Sequence, residues 1–151
     1  MNRKINKAFF YMATLVMVSS CSKDLEDRLV GNWKLKTAWK SQPSGTSELR
    51  TGYEQGLFHL ENNGKASYTE GTDTLVGYWK AGKQNKGIYN NSEGHWESRN
   101  MQFLLLNMED RQQTRRLEWR FDDFDLKNDG RIIRAVQYTL GYDRFYEFEK
   151  R

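Results

Sequence analysis

Apolar and polar residues alternate along most of the chain after residue 28, in short runs separated by turn residues. From position 33 to 40, the odd positions are Trp, Leu, Thr and Trp, whereas the even positions are Lys, Lys, Ala and Lys. A period of two residues is typical of a β-strand with one buried and one solvated face. The stretch 29–40 is therefore predicted to be the first strand, around which the rest of the chain folds.

The same alternation recurs downstream and predicts about eight to ten strands with no convincing amphipathic helix. Asn63-Gly64 and Asp129-Gly130 are dipeptides that tolerate positive φ and mark tight hairpin turns. The glycine- and lysine-rich segment 82–87 is interpreted as a further turn. The most apolar run, 101–108, indicates a central strand. Short strands joined by turns predict an all-β fold, either an up-and-down barrel or a sandwich.

The first 20 residues follow a different pattern and are predicted to be a secretory signal. Basic residues precede an apolar run at 8–18, which is too short to span a bilayer as a helix, and small residues follow it. We therefore assign residues 1–20 to a signal peptide, 21–28 to a polar tether and 29–151 to one folded domain. The tether is either the first turn of a helix or a flexible leash.

Cys21 is the only cysteine, and it directly follows this signal. The sequence Val18-Ser19-Ser20-Cys21 resembles a bacterial lipobox, which implies cleavage before Cys21 and attachment of diacylglycerol to its sulfur. The alternative is a buried free thiol, which export disfavours because exported proteins usually carry paired cysteines or none. Because each buried methylene contributes about 0.8 kcal/mol, two or three acyl chains such as palmitate would anchor the protein to a membrane.

The charge balance does not favour nucleic acid as a partner. The chain has 24 basic and 20 acidic residues, but three basic residues and no acidic ones lie in the first 20 positions. The remainder is therefore close to neutral, whereas nucleic-acid binding needs a concentrated cationic surface. Arginines at 111–120 alternate with acidic residues, a pattern typical of a solvated strand pair.

Residues with catalytic or metal-binding chemistry are few. His59 and His95 are the only histidines, and no Gly-x-Ser-x-Gly sequence accompanies them. Two distant histidines and one cysteine do not have the spacing of a zinc site. We therefore expect binding without turnover, with no cofactor and no metal, and an enzyme ranks third among the functions considered.

Short motifs connect the chain with a known family. Gly31-Asn32-Trp33 resembles the Gly-x-Trp motif of lipocalins, and Gly77-Tyr78-Trp79 repeats it. With FHLENNGKASY in the middle and RFYEFEK at the end, residues 29–151 are similar in layout to the small lipocalin-like lipoproteins of Bacteroidota. The resemblance implies a calycin-type up-and-down β-barrel and an outer-membrane location, on the periplasmic face or the cell surface.

The resemblance also implies a pair of residues that closes the barrel. In lipocalins the Trp of the motif lies at the barrel bottom under a basic residue near the end of the last strand. Trp33 matches the Trp, and either Arg144 or Arg151 is available as its partner. We prefer Arg144 because it lies within the predicted strand, where its guanidinium would stack on the indole.

Two functions remain open for such a domain. In the first, the barrel binds a small apolar ligand among the residues predicted to face its interior, namely Trp33, Leu35, Phe58, Trp79, Phe103, Trp119 and Phe148. Side chains can also fill the interior of an eight-stranded barrel, and we give a hollow and a filled interior equal weight. In the second, the protein docks onto an outer-membrane or secretion complex through exposed aromatics such as Tyr78, Tyr89 or Trp96. A ligand-sized apolar cavity favours the first function, and a filled barrel with an exposed aromatic patch favours the second.

Overall fold

The computed structural model describes residues 20–151, with side chains from Leu25 onward. The predicted signal segment and the side chain of Cys21 lie outside the described residues. Helix α1 (Ser20–Leu29) covers the predicted tether, so the helical alternative is correct. Ten strands follow: β1 (Gly31–Gln42), β2 (Gly45–Glu48), β3 (Leu57–Leu60), β4 (Lys65–Glu70), β5 (Asp73–Asn90), β6 (His95–Glu109), β7 (Arg116–Phe121), β8 (Asp123–Lys127), β9 (Ile132–Thr139) and β10 (Tyr142–Lys150).

All ten strands form one antiparallel sheet, which confirms the predicted all-β, barrel-like fold. The strand order is β7-β6-β5-β4-β3-β1-β10-β9-β8, and β2 pairs with β1 at the side. Because β1 pairs with both β3 and β10, the first and last strands are neighbours. The two ends of the sheet are β7 and β8, which are consecutive in the chain, and no ladder joins them. The sheet is therefore curled but not closed.

The chain changes its strand partner at Asp122, between β7 and β8. Residues 115–124 are predicted to be one strand, but β7 pairs with β6 whereas β8 pairs with β9. The Asp122 side chain is buried at this corner, where Oδ2 accepts the Tyr138 N–H at 2.9 Å. Its backbone N–H donates to the Val136 carbonyl at 2.8 Å. These contacts fix the point at which the strand leaves β6 and joins β9.

Strand β1 departs from the predicted alternation because it contains a bulge. Trp33 and Leu35 are buried as expected, but the register with β10 shifts between Leu35 and Thr37. The extra residue moves Ala38 to the buried side and leaves Thr37 exposed. Trp39, predicted to share the face of Trp33, is therefore placed on the other face.

The β5–β6 hairpin is much longer than predicted. The segment 82–87 is not a turn, because pairing of β5 with β6 continues without interruption to Asn90 opposite His95. The reversal occurs at 91–94 instead, with Gly94 at a φ of 73°. We call residues 82–103 the arm, and residues 73–81 together with 104–109 the barrel half of the hairpin. The predicted turns at Asn63-Gly64 and Asp129-Gly130 are confirmed.

Candidate functional site

The interior of the barrel, where a ligand was one of the two alternatives, is filled by side chains. The residues around its centre enclose a cavity of about 10 Å³: Trp33, Phe58, Leu60, Leu104, Leu106, Ile133 and Phe148. Pockets for small molecules typically measure about 300–1,000 Å³. A ligand would therefore have to displace core side chains in order to enter.

Six of the seven residues predicted to face the interior do so, and they form part of the hydrophobic core. Trp33, Leu35, Phe58, Trp79 and Phe148 are buried, and Trp119 packs against them from a partly buried position. The ring centroids of Phe58, Trp119 and Phe148 lie 5.6–6.2 Å apart, which is a favourable spacing for aromatic pairs. In this conformation their surfaces contact one another and leave no room for a ligand.

The prediction that Phe103 faces the interior is wrong. Leu104 and Leu106 occupy the buried positions of β6, so Phe103 points to the opposite face. There the Arg120 guanidinium lies 5.1 Å from its ring centroid, and Gly82 pairs with it across the ladder. Apolar and polar residues do not alternate in the apolar run at 101–108. The sequence therefore did not indicate which of its residues face the interior.

The predicted pairing of Trp33 with Arg144 is also wrong. Lys150 lies opposite Trp33 in the ladder, with its Nζ 5.2 Å from the indole ring. Arg144 pairs with Lys40 instead, and its guanidinium lies 5.3 Å from the Tyr142 ring. Because β1 and β10 are antiparallel, the start of β1 faces the end of β10, and this register rule identifies Lys150.

The exposed aromatic residues are concentrated on the β5–β6 hairpin. Trp96 is 68% exposed, and its ring makes an edge-to-face contact with Tyr89 at 5.5 Å near the tip of the arm. Tyr78, on the outer face of the barrel half, is 51% exposed and accepts a hydrogen bond from Asn107 Nδ2 at 3.2 Å. Of the three predicted anchors, Trp96 and Tyr78 are thus exposed, and Tyr89 is partly covered by Trp96.

The tip of the arm is fixed against the turn between β9 and β10. Asn91 Nδ2 donates to the Thr139 carbonyl and to Asp143 Oδ1, both at 2.8 Å. Asn91 Oδ1 accepts the Gly141 N–H, also at 2.8 Å. Further along the arm, Lys86 Nζ contacts Asp122 Oδ1 at 2.5 Å. Trp96 therefore lies on a hairpin whose tip is held in a defined position by hydrogen bonds.

Sequence reasoning missed the polar cluster at the opposite end of the hairpin. Tyr68 OH donates to Glu70 Oε2 at 2.7 Å and accepts the Gly56 N–H at 3.1 Å. Burial, together with the neighbouring Glu70, raises the pKa of Tyr68 above its ordinary value. The Arg115 guanidinium lies 5.0 Å from the Tyr53 ring and 3.5 Å from Glu70. These residues are far apart in the chain, and no local sequence motif indicates that they form a cluster.

The two histidines are exposed and lie on different strands. His59 Nδ1 is 2.6 Å from Asn32 Oδ1, and His95 Nε2 is 3.6 Å from Glu93 Oε2. These partners are an amide oxygen and a carboxylate oxygen, and neither is a hydroxyl or thiol that a histidine base would activate. Among residues whose side chains are described, no group of three or more His, Cys, Asp or Glu is placed to hold a metal ion.

Comparisons with known proteins identify no relative of this chain. No family model matches it, and no curated protein or solved structure matches it either. The resemblance to lipocalin-like lipoproteins therefore remains a prediction from short motifs. In the part of the chain from residue 20 onward, no helix is long and apolar enough to cross a membrane.

Proposed function

We propose that this chain is a lipid-anchored envelope protein whose barrel-like domain docks onto another envelope protein without catalysing a reaction. The observation that supports this most directly is a filled interior combined with an exposed tryptophan on the fixed tip of the arm. Tryptophan and tyrosine dominate the binding energy of many protein interfaces. Trp96 and Tyr89 provide such an anchor.

The hydrogen bonds of Asn91 make this anchor more effective. Ordering flexible groups on binding costs free energy, and a surface that is already ordered avoids part of that cost. Asn91 ties the arm tip to Thr139, Gly141 and Asp143, all in or beside one turn. The backbone that carries Trp96 is therefore positioned before a partner arrives.

Helix α1 supports a lipid anchor close to the barrel. Leu29 is fully buried and Leu25 packs against the core, so the helix is fastened to the sheet at its C-terminal end. Cys21 lies eight residues before Leu29 in this helix, which corresponds to about 12 Å at 1.5 Å per residue. Acyl chains on Cys21 would then hold the domain near the membrane surface, as an outer-membrane docking protein requires.

The docking proposal is tested by photo-crosslinking in the native envelope. A photoreactive amino acid at position 96 is expected to give one discrete adduct, and the same substitution at Val76 is the control. Val76 is 52% exposed and apolar, and it lies on the barrel half of the hairpin, away from the arm tip. Identical adducts from both positions, or none from position 96, would refute docking through the arm.

The lipid anchor is tested separately. Intact-mass analysis of the membrane-extracted protein should show Cys21 carrying diacylglycerol, and Cys21→Ala should move the protein to the soluble fraction because hydrophobic anchoring is lost. An unmodified Cys21 in a host that processes lipoproteins would contradict the anchor but leave the docking test valid.

A second candidate function, binding of a small apolar ligand, is favoured by a cavity outside the core. This cavity measures about 240 Å³ and is lined by Trp39, Val136 and Phe145 among others. The Trp39 and Phe145 rings stack there with centroids 5.4 Å apart. Native mass spectrometry should then detect a bound molecule that Trp39→Ala loses, and an unliganded wild-type protein would argue against this function.

A further inference from the structure

A row of side chains crosses the outer face of the sheet on four neighbouring strands. Trp39 of β1 pairs with Phe145 of β10. Phe145 in turn pairs with Val136 of β9, which pairs with Asp123 of β8. Because directly paired residues of an antiparallel sheet point to the same face, these four side chains form one line. The cavity of about 240 Å³ outside the core lies along this line and is bordered by all four residues.

The aromatic half of the row is a stack that ends at the cavity. The rings of Trp39 and Phe145 have centroids 5.4 Å apart and planes only 11° apart. Nearly parallel rings at this separation overlap face to face with an offset, which is a favourable arrangement. Strand β10 lies between β1 and β9, so the second face of Phe145 is turned toward Val136. Val136 is aliphatic and shorter than a ring, and the cavity therefore lies above it, beside Phe145.

The charged groups around the cavity compensate one another. Two acidic and two basic side chains belong to its lining: Asp123, Asp125, Lys127 and Arg134. Lys127 Nζ contacts Asp125 Oδ2, and Arg134 Nε donates to Glu147 Oε2 at 2.9 Å. Asp123 Oδ1 accepts two backbone N–H groups, and Lys83 lies with Asp123 in the adjoining groove. An ionic ligand would have to displace one of these partners, so the lining favours an uncharged one.

We infer that this cavity binds an uncharged, planar aromatic compound of one or two rings, which extends the stack on Phe145 above Val136. Aromatic stacking adds to the free energy gained from buried area alone, so a flat ring is preferred to an aliphatic group of the same size. The cavity is smaller than the roughly 300–1,000 Å³ typical of drug-sized ligands, which limits the number of rings. The inference rests on the second candidate function and names its ligand class. It involves no residue of the arm tip.

The test compares the binding of naphthol and of its fully saturated analogue, decahydronaphthol, to the full chain. Both compounds have the same skeleton and one hydroxyl group and are uncharged at neutral pH, but only naphthol is planar and aromatic. Calorimetric titration should show that naphthol binds at least about threefold more tightly, although the saturated compound is the more apolar. In NMR spectra, the methyl resonances of Val136 should shift as naphthol saturates the site.

The outcomes separate this inference from the function on which it rests. Equal affinities, or tighter binding of decahydronaphthol, would overturn the aromatic preference and leave a general apolar site. Naphthol binding that leaves the Val136 methyl resonances unmoved would overturn the assignment to this cavity. If neither compound binds at about 1 mM, both the inference and the second candidate function are refuted.

Variants distinguish stacking from a general loss of structure. Phe145→Leu keeps apolar bulk but removes the ring, and should bring the affinities of the two compounds to within about twofold of each other. Tyr78→Leu makes a similar change on the outer face of the barrel half and should leave the preference for naphthol unchanged. Val136→Phe places a ring in the cavity and should weaken naphthol at least about tenfold. An unchanged preference in Phe145→Leu, or unchanged naphthol binding in Val136→Phe, would overturn the inference.

Discussion

The two halves of the β5–β6 hairpin are built from one continuous ladder but are stabilised differently. The barrel half lies between β4 and β7, and its inward residues Leu75, Trp79 and Leu106 belong to the core. The arm has ladder pairing only between its own two strands, and Ile88 and Met101 are its buried apolar residues. The comparison shows that strand pairing alone does not reveal which part of a hairpin supports the fold.

Polar contacts replace core packing in the arm. Lys86 reaches Asp122 at the corner, and Asn91 reaches the turn after β9. Polar contacts of this kind each contribute little because water competes for the same groups. We therefore expect substitutions in the barrel half to affect global stability, and substitutions in the arm to affect mainly the arm.

The largest expected effect is a difference in the free energy of unfolding between alanine variants of the two tryptophans of the hairpin. Trp79 is 5% exposed and its Nε1 donates to the Glu61 carbonyl at 2.8 Å, so Trp79→Ala should lower the free energy of unfolding by about 3–5 kcal/mol. Trp96→Ala should change it by less than about 0.5 kcal/mol. Urea denaturation followed by tyrosine fluorescence or circular dichroism measures both. Similar losses would mean that the arm supports the fold as much as the barrel half does.

Two glycines give a second matched pair. A Cβ at Gly77 would lie 2.0 Å from the Asn107 carbonyl oxygen, so Gly77→Ala forces the backbone apart and should cost about 1–3 kcal/mol. At Gly87 a Cβ meets no atom within 4 Å, and Gly87→Ala should be neutral or stabilise by up to about 1 kcal/mol. Thermal unfolding of both variants checks the pair, and a neutral Gly77→Ala would show that the backbone of the barrel half yields easily at this point.

The contact that joins the two halves should give an intermediate effect. Asp122→Ala removes the acceptor of the Tyr138 N–H and should cost about 1–3 kcal/mol, because a buried donor is left unpaired. Lys86→Ala should cost at most about 1 kcal/mol, since the Lys86 side chain is 42% exposed and water screens its ion pair. Hydrogen exchange should accelerate in the arm in both variants. Faster exchange around Trp79 in Lys86→Ala would contradict the expectation that loss of this contact affects only the arm.

The smallest effect concerns pH and the tip of the arm. Burial raises the pKa of Asp143, so the folded state holds this proton more tightly than the unfolded state does. The associated stability is present below the ordinary value of 3.8 and is lost as pH rises through the folded value. Asp143→Asn keeps an acceptor for Asn91 and should raise stability near neutral pH by no more than about 0.5 kcal/mol. Thermal unfolding at low and neutral pH measures this, and an equal gain at both would exclude the titration of Asp143 as its cause.

Local patterns were sufficient for the hairpin turns at Asn63-Gly64 and Asp129-Gly130 and for several strands. The sequence predicts strands at 65–70 and 142–150, and β4 and β10 have these bounds, because turn residues that tolerate positive φ precede both segments. The arm was missed for the opposite reason. A solvated strand that packs against little else has the same Gly, Lys and Asn content as a turn, so composition cannot separate the two.

The features that depend on distant partners were not predictable from local pattern. The bulge after Leu35 becomes visible only in the register with β10, and it places Trp39 beside Phe145. Likewise, the sequence pattern places Asp122 at an ordinary polar position of a strand. Only the structure shows its contacts with Lys86 and Tyr138. The predicted interior residues were mostly correct, because burial follows parity within one strand, but parity carries no information about whether the interior is hollow.

The attachment of helix α1 has a mechanical consequence for a protein pulled from its N-terminal side. Trp33 Nε1 donates to the Leu29 carbonyl at 2.7 Å, and Lys150 Nζ donates to the Arg28 carbonyl at 3.2 Å. Tension applied through α1 is therefore shared by the first and the last strand at once. Because β1 is flanked by β3 and β10, drawing it out would require shearing two ladders together instead of peeling one strand from an edge.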